Sequence, residues 1–221
     1  MRTKNNPEIE VARPVVTYFE SIGYTVYKEV QYNHGARADI VAVHDGRVVV
    51  VECKTTLGLA VMEQALFWRG LAHWVYVAVP QSRQVPTGRR FAERVLRDYG
   101  IGCFRVDTLN QQCRAASEPV MNRKAKVKAL IDSLSEQQRT YSDAGNARSE
   151  YWTPYRQTCL NLRWYVDRNP GCSLKDAIAD IRHHYSSPGV ARSSLLKWIE
   201  SGSVPGVKLE RDGKKVSLYP V

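Results

Sequence analysis

The stretch 38-ADIVAVHDGRVVVVECK-54 decides the fold. Asp45-Gly46 at its centre is a strong signal for a two-residue hairpin loop, because a type I′ turn needs positive φ at both central positions. With that loop His44 faces Arg47, and pairing runs back residue by residue until Asp39 faces Glu52. Directly opposed residues project from the same face of a sheet, so the two carboxylates stand side by side. Lys54 lies two residues on and shares their face, whereas Cys53 points to the other. Carboxylates whose Cβ atoms are about 5 Å apart repel by roughly 3 kcal/mol at an effective dielectric of about 20. A fold that keeps such a pair usually has a cation between them.

The residues between the charges show where the hairpin sits. Ile40, Val41, Ala42 and Val43 face Val48, Val49, Val50 and Val51, so both faces are apolar. That is the pattern of central strands covered on both sides. Charges at the end of such a pair need a reason, since unpaired buried charge is costly. A metal-binding, catalytic reason fits them better than a charged strand end at the surface.

The flanking sequence supplies the rest of a core. Asn6-Pro7 reads as an N-cap and first helical residue, opening a helix to about Ile22 that stops at Gly23. Its apolar positions are Val11, Ala12, Val15, Phe19 and Ile22. Residues 24–32 have strand composition, and the Asp39 hairpin follows. A helix is expected over Leu59–Ala72, a buried strand over 74–79 ended by Pro80, a helix over Thr87–Tyr99 and a short strand over 101–106. The order is αβββαβαβ, long enough to bury a core.

Asp39 followed by Glu52-Cys53-Lys54 resembles the PD-(D/E)xK nuclease superfamily, whose core motif is an Asp on one strand and Glu-x-Lys on the next. Ala38 stands where the motif's Pro would be. The resemblance covers the first half of the chain. It implies an α/β (α+β) restriction-endonuclease-like core, with a mixed central sheet flanked by helices. It also implies hydrolysis of DNA phosphodiesters, with Asp39 and Glu52 holding Mg²⁺, for which Mn²⁺ can substitute, and Lys54 as the catalytic cation. The family commonly adds a Glu from the first helix. Glu8 is in phase with Val11, Val15 and Phe19, while Glu10 shares the opposite stripe with Arg13, Thr17 and Ser21. Glu8 is therefore the choice, although an acid in a first turn also suits the helix dipole. One branch of the family carries Gln-x-x-x-Tyr on the helix after Glu-x-Lys. Here Gln64 keeps the spacing, with Trp68 in place of Tyr, and would hydrogen-bond near the scissile phosphate.

The second half changes character. The net charge is +10, of which residues 1–118 carry +3 (15 basic against 12 acidic) and 119–221 carry +7 (17 against 10). Such a balance points to an anionic partner, usually nucleic acid. The first domain is read as 1–118, followed by a basic helix (123–134) and polar linker over 119–150, then a DNA-binding domain over 151–221. That last domain reads as three helices and a hairpin: about 153–167, a helix capped by Ser173 with Asp176 following, and a helix opened by Ser187-Pro188 and ended by Gly202. Asp212-Gly213 would close the hairpin, pairing Leu209 with Val216 and Val207 with Leu218, so that Arg211 faces Lys214. This layout resembles a winged helix-turn-helix. Ala191, Leu195, Trp198 and Ile199 form the expected buried stripe of the third helix. Arg192, Ser193, Ser194 and Lys197 would then face DNA, with Arg211, Lys214 and Lys215 meeting phosphates at the hairpin tip.

The remaining features narrow little. The five cysteines lack Cys-x-x-Cys spacing and suit reduced thiols in the cytoplasm, or on the nucleoid of a bacterial or phage host. His183-His184 has no zinc-spaced partner and reads as a polar helix face. No segment reaches about 18 consecutive apolar residues, so no membrane partner is expected. The expected partner is DNA, with a second copy or another protein a further candidate. Transposon end-cutting endonucleases have a similar nuclease-plus-winged-helix layout. The competing reading is a non-catalytic DNA-binding or regulatory protein that keeps a nuclease-like core for its shape.

Overall fold

The computed structural model describes residues 7–32, 35–82, 87–140, 144–145, 152–213 and 215–221. Contacts divide the chain into two compact units, Met1–Trp152 and Thr153–Val221. The first is mixed α/β, a six-stranded sheet flanked by helices.

Helix α1 (Pro7–Ser21) lays Val11, Ala12, Val15 and Phe19 on the sheet. It ends one residue short of Ile22, the end expected from the sequence. Gly23 has φ +87 and turns the chain there, leaving Ile22 50% exposed. Asn6, the expected N-cap, lies outside the described residues. Strands β1 (Thr25–Gln31), β2 (Arg37–His44) and β3 (Arg47–Cys53) form an antiparallel meander. Asp45 and Gly46 have φ of 48 and 71, the two positive values that a type I′ loop demands. Helix α2 (Leu59–Trp68) carries the chain to β4 (Trp74–Pro80), parallel to β3, and α3 (Arg89–Asp98) carries it to β5 (Gly102–Asp107), parallel to β4.

A further strand, β6 (Gln112–Ser117), pairs antiparallel with β5 and completes the order β1-β2-β3-β4-β5-β6. The sequence reading assigned no element to this stretch, because its small and polar residues alternate in exposure along a sheet edge. Beyond it, α4 (Val127–Ile131) is shorter than the basic helix expected over 123–134, and α5 is the single turn Gln137–Thr140. Leu130 is fully buried in the core, with Val127, Ile131 and Leu134 packed around it. The first unit therefore includes much of the stretch that composition alone assigned to a linker, since four apolar side chains anchor an otherwise charged segment.

Two cores sandwich the sheet. On one face Val41, Val48 and Val50 meet Val61, Ala65 and Trp68 of α2, together with Leu96 of α3. On the other, Ile40, Ala42, Val49, Val51 and Cys53 meet α1. The central strands are thus apolar on both sides, and Cys53 points away from the α2 face.

The second unit consists of α6 (Pro154–Arg168), α7 (Leu174–Asp180), α8 (Pro188–Glu200) and an antiparallel hairpin, β7 (Val207–Asp212) with β8 (Lys215–Pro220). Thr153, Ser173 and Ser187 cap the helices, each accepting a hydrogen bond from a backbone N–H three residues on. The hairpin register differs from the sequence reading by two residues. Leu209 pairs with Leu218, Arg211 with Val216 and Asp212 with Lys215. Leu218 is fully buried and exchanges backbone hydrogen bonds with Gly171 and Cys172, which fixes β8 from its other side.

Candidate functional site

The acid pair lies where β2 and β3 part. Their ladder runs from His44↔Arg47 to Ile40↔Val51, the register that sets Asp39 beside Glu52. Past that point the Asp39 carboxylate takes over from the ladder, its Oδ2 accepting a hydrogen bond from the Cys53 N–H at 2.8 Å. The Lys54 N–H turns to the Ala78 carbonyl on β4. Asp39 and Glu52 are 5% and 1% exposed, yet they line a cavity of about 430 Å³ with Lys54, Arg37, Gln64 and Phe67.

Three contacts surround this cluster. The Trp68 indole Nε1–H donates to Glu52 Oε1 at 2.6 Å. Lys54 Nζ lies 3.1 Å from Glu8 Oε2, so the first-helix acid reaches the site by gripping the lysine. The third is an ion pair between Arg37 Nε and the fully buried Glu29 at 2.8 Å. Glu29 carries φ +54 within a strand, and the β1–β2 pairing skips Glu29 and Asp39 while keeping register on either side. A side chain held in this left-handed region costs about 1–3 kcal/mol, which the surroundings must offset.

Burial pushes the Glu52 carboxyl well above the usual carboxylate range, and the Asp39 carboxylate adds to it, while the Trp68 hydrogen bond opposes the shift. Burial raises Asp39 as well, against the pull of Lys54 and the Cys53 N–H. Burial alone would lower the Lys54 ammonium, but Asp39, Glu8 and Glu52 together raise it, so it stays charged. The Asp39 carboxylate makes Glu52 harder to ionise, and a shared proton or a cation would relieve their repulsion.

Those two carboxylates are hard oxygen donors facing a solvent-reaching cavity, which suits an ion like Mg²⁺ that takes one or two carboxylates and keeps several waters. Among the described residues no three His, Cys, Asp or Glu side chains cluster as a complete metal cage. A site finished by water is the arrangement these donors fit.

Of the sequence candidates, Asp39, Glu52, Lys54 and Gln64 share the cavity, and Glu8 joins through Lys54. Gln64 is exposed and lies in the wall without a hydrogen bond to the acids among those described. Sequence reasoning missed Trp68, Arg37 and Glu29 as site residues. Trp68 was visible one helical turn after Gln64. Arg37 could have been found two residues before Asp39, on the same strand face. Glu29 becomes recognisable only once the β1–β2 register is known.

In the second unit Ala191, Leu195 and Ile199 are buried as expected, whereas Trp198 is 41% exposed. It stands edge-on to Tyr155 at 6.0 Å, with Lys197 Nζ 5.9 Å from its ring centre, so an amphipathic ring sits at the rim of the stripe. Arg192, Ser193 and Lys197 face solvent and Ser194 is half-buried. The Ser193 hydroxyl bonds back to Gly189 and Val190 carbonyls. Arg211 pairs with Glu200 at the end of α8. Lys214 and the Lys215 side chain lie outside the described residues. His183 and His184 sit between α7 and α8, not on a helix, and His184 Nδ1 is 2.8 Å from the Thr158 hydroxyl. A cavity of about 710 Å³ lies between α8 and β7, with no acid pair in its wall. No helix among the described residues is long and apolar enough to cross a membrane.

No family model matches the sequence, and no curated protein matches it. A solved structure of a protein of unknown function from Silicibacter pomeroyi is similar over 59% of this chain and 85% of that one, with 18% identity and a TM-score of 0.43.

Proposed function

We propose that the first unit is a metal-dependent deoxyribonuclease of the PD-(D/E)xK type, and that the second is a winged-helix-like module that binds its DNA. The observation that carries this reading is the buried Asp39–Glu52 pair, opening into a cavity with a charged lysine fixed beside it. A core kept only for shape has no need to bury two mutually repelling carboxylates. Asp39 and Glu52 would hold Mg²⁺, which when bound supplies Lewis-acid polarisation of the phosphate and acidifies a water.

The chain's own residues do the rest. Lys54, anchored by Glu8, presents a fixed positive charge to the phosphate as negative charge builds on it, and can orient the attacking water. Glu8 is a positioning residue that acts through Lys54. Trp68 fixes the rotamer of Glu52, and the Cys53 N–H fixes that of Asp39. In the second unit α8 would enter the major groove, with Arg192, Ser193, Ser194 and Lys197 toward the DNA and the hairpin tip on phosphates.

The test is a panel of plasmid, single-stranded and branched DNA incubated with the full chain in Mg²⁺ and in EDTA. Cleavage in Mg²⁺ alone supports the reading. Binding of all three without cleavage of any would return the chain to the non-catalytic DNA-binding alternative.

A further inference from the structure

The mouth of the acid cavity carries a feature that phosphodiester hydrolysis alone does not use. Phe67 lines the cavity yet is 47% exposed, an unusual position for a phenyl ring beside two acids and a lysine. It is braced rather than loose. The Trp68 ring meets it nearly perpendicular at 4.8 Å and the Tyr32 ring at 6.4 Å. Arg37 lines the same cavity, held by the buried Glu29 carboxylate and 26% exposed. The cavity therefore presents a rigid aromatic surface, a positioned guanidinium and the side-chain amides of Gln31 and Gln64 around the acid pair. Its volume of about 430 Å³ falls within the range of roughly 300–1,000 Å³ typical of sites that hold a small molecule or one nucleotide-sized group.

We infer that this cavity takes an unpaired nucleotide, with its base stacked on Phe67 and a phosphate on Arg37, so that the DNA strand reaching Asp39 and Glu52 is single-stranded or locally unpaired. Inside a duplex both faces of every base are covered by neighbours, and an exposed aromatic gains nothing from it. Aromatic platforms beside cationic grooves are how proteins hold single strands, because every base offers a π-face whatever its sequence. Arg suits the phosphate through its planar fork, and an acid already fixing its Nε sets the direction of that fork. This inference rests on the nuclease reading for the fate of the strand, but not for its binding.

The experiment uses the full chain in EDTA, with a fluorescein-labelled single-stranded hexadeoxynucleotide and a blunt duplex as probes, read by anisotropy. Phe67→Ala, at a half-exposed position, should weaken binding of the single strand by about ten-fold or more and leave the duplex within about two-fold. Arg37→Lys keeps a charge opposite Glu29, with thermal melts checking the fold, and should weaken the single strand several-fold. Single-strand affinity within about two-fold of wild type in Phe67→Ala would overturn the inference. So would an unchanged affinity accompanied by conversion of a dimer to a monomer in sedimentation, which would make Phe67 a contact between copies. If the single strand binds through Phe67 but nothing is cut in Mg²⁺, the nuclease reading fails and this one stands. If duplex is cut while Phe67→Ala changes neither binding nor cutting, the reverse holds.

Discussion

Above the raised carboxyl pKa values, where both acids are ionised, replacing Glu52 by Gln should make the metal-free protein more stable, and the site gives the size of the gain. Gln keeps the oxygen that accepts from the Trp68 indole at 2.6 Å, so shape and hydrogen bond survive. What disappears is one of two buried charges in adjacent register. At about 5 Å and an effective dielectric of about 20, their repulsion is roughly 3 kcal/mol. Against this, a hydrogen bond to a neutral amide is weaker than one to a carboxylate by about 1 kcal/mol, and the attraction of Lys54 is lost as well. About 1–2 kcal/mol of stabilisation remains, or roughly 2–8 °C in melting temperature for a unit of about 150 residues. The pH dependence fixes the sign. Both carboxyls ionise above their usual range in the folded chain, so the folded state retains protons that the unfolded chain has released. Stability is then full below an ordinary carboxylate pKa of about 4 and falls as pH rises through the raised values. Glu52→Gln should flatten that fall. Thermal melts in EDTA across pH 4 to 9, roughly the span over which perturbed carboxyls titrate, follow the difference. Equal or lower stability of the variant at the alkaline end would refute the reasoning.

Other outcomes follow from the same geometry. Lys54→Ala should abolish cleavage and leave DNA affinity nearly intact, measured by gel assay and filter binding on the same preparation. Glu8→Gln should lower the turnover rate with little change in KM, because Glu8 grips Lys54 and adds its charge near Asp39; an unchanged rate would remove its positioning role. Trp68→Phe removes the donor to a buried carboxylate and should cost about 1.5–3 kcal/mol in chemical denaturation. Arg192→Ala combined with Lys197→Ala should reduce the slope of log affinity against log salt by about two on duplex DNA, and an affinity that is flat with salt in the wild type would end the DNA-binding assignment of the second unit.

The parts legible in the sequence were those governed by local rules. Asp45-Gly46 fixed its own loop, and the loop fixed a register that carried five residues back to the acid pair. Proline, glycine and serine signals located most helix ends. At the second hairpin the same dipeptide misled by two residues, because contacts of Leu218 with Gly171 and Cys172, distant in sequence, hold the strand. Strand β6 stayed hidden for a related reason. An edge strand of small and polar residues has no apolar run to announce it, and only pairing with β5 makes it a strand. Leu130 and its neighbours could not be weighed against the lysines around them until the open side of the core was known. At the site, the acids and lysine were readable from spacing, whereas Trp68 and Glu29 depended on how α2 and β1 come to rest against the hairpin.

If Asp39 and Glu52 form a metal-dependent phosphodiesterase centre, cleavage must depend on both the metal and the acid pair. The direct measurement compares wild type and Asp39→Ala on end-labelled DNA over a Mg²⁺ titration, with melting curves confirming that both are folded. Wild type should cut with a rate that rises and saturates with Mg²⁺ and vanishes in EDTA, while Asp39→Ala should not cut at any Mg²⁺ concentration. Cleavage by folded Asp39→Ala at the wild-type rate would mean that the acid pair does not carry the chemistry.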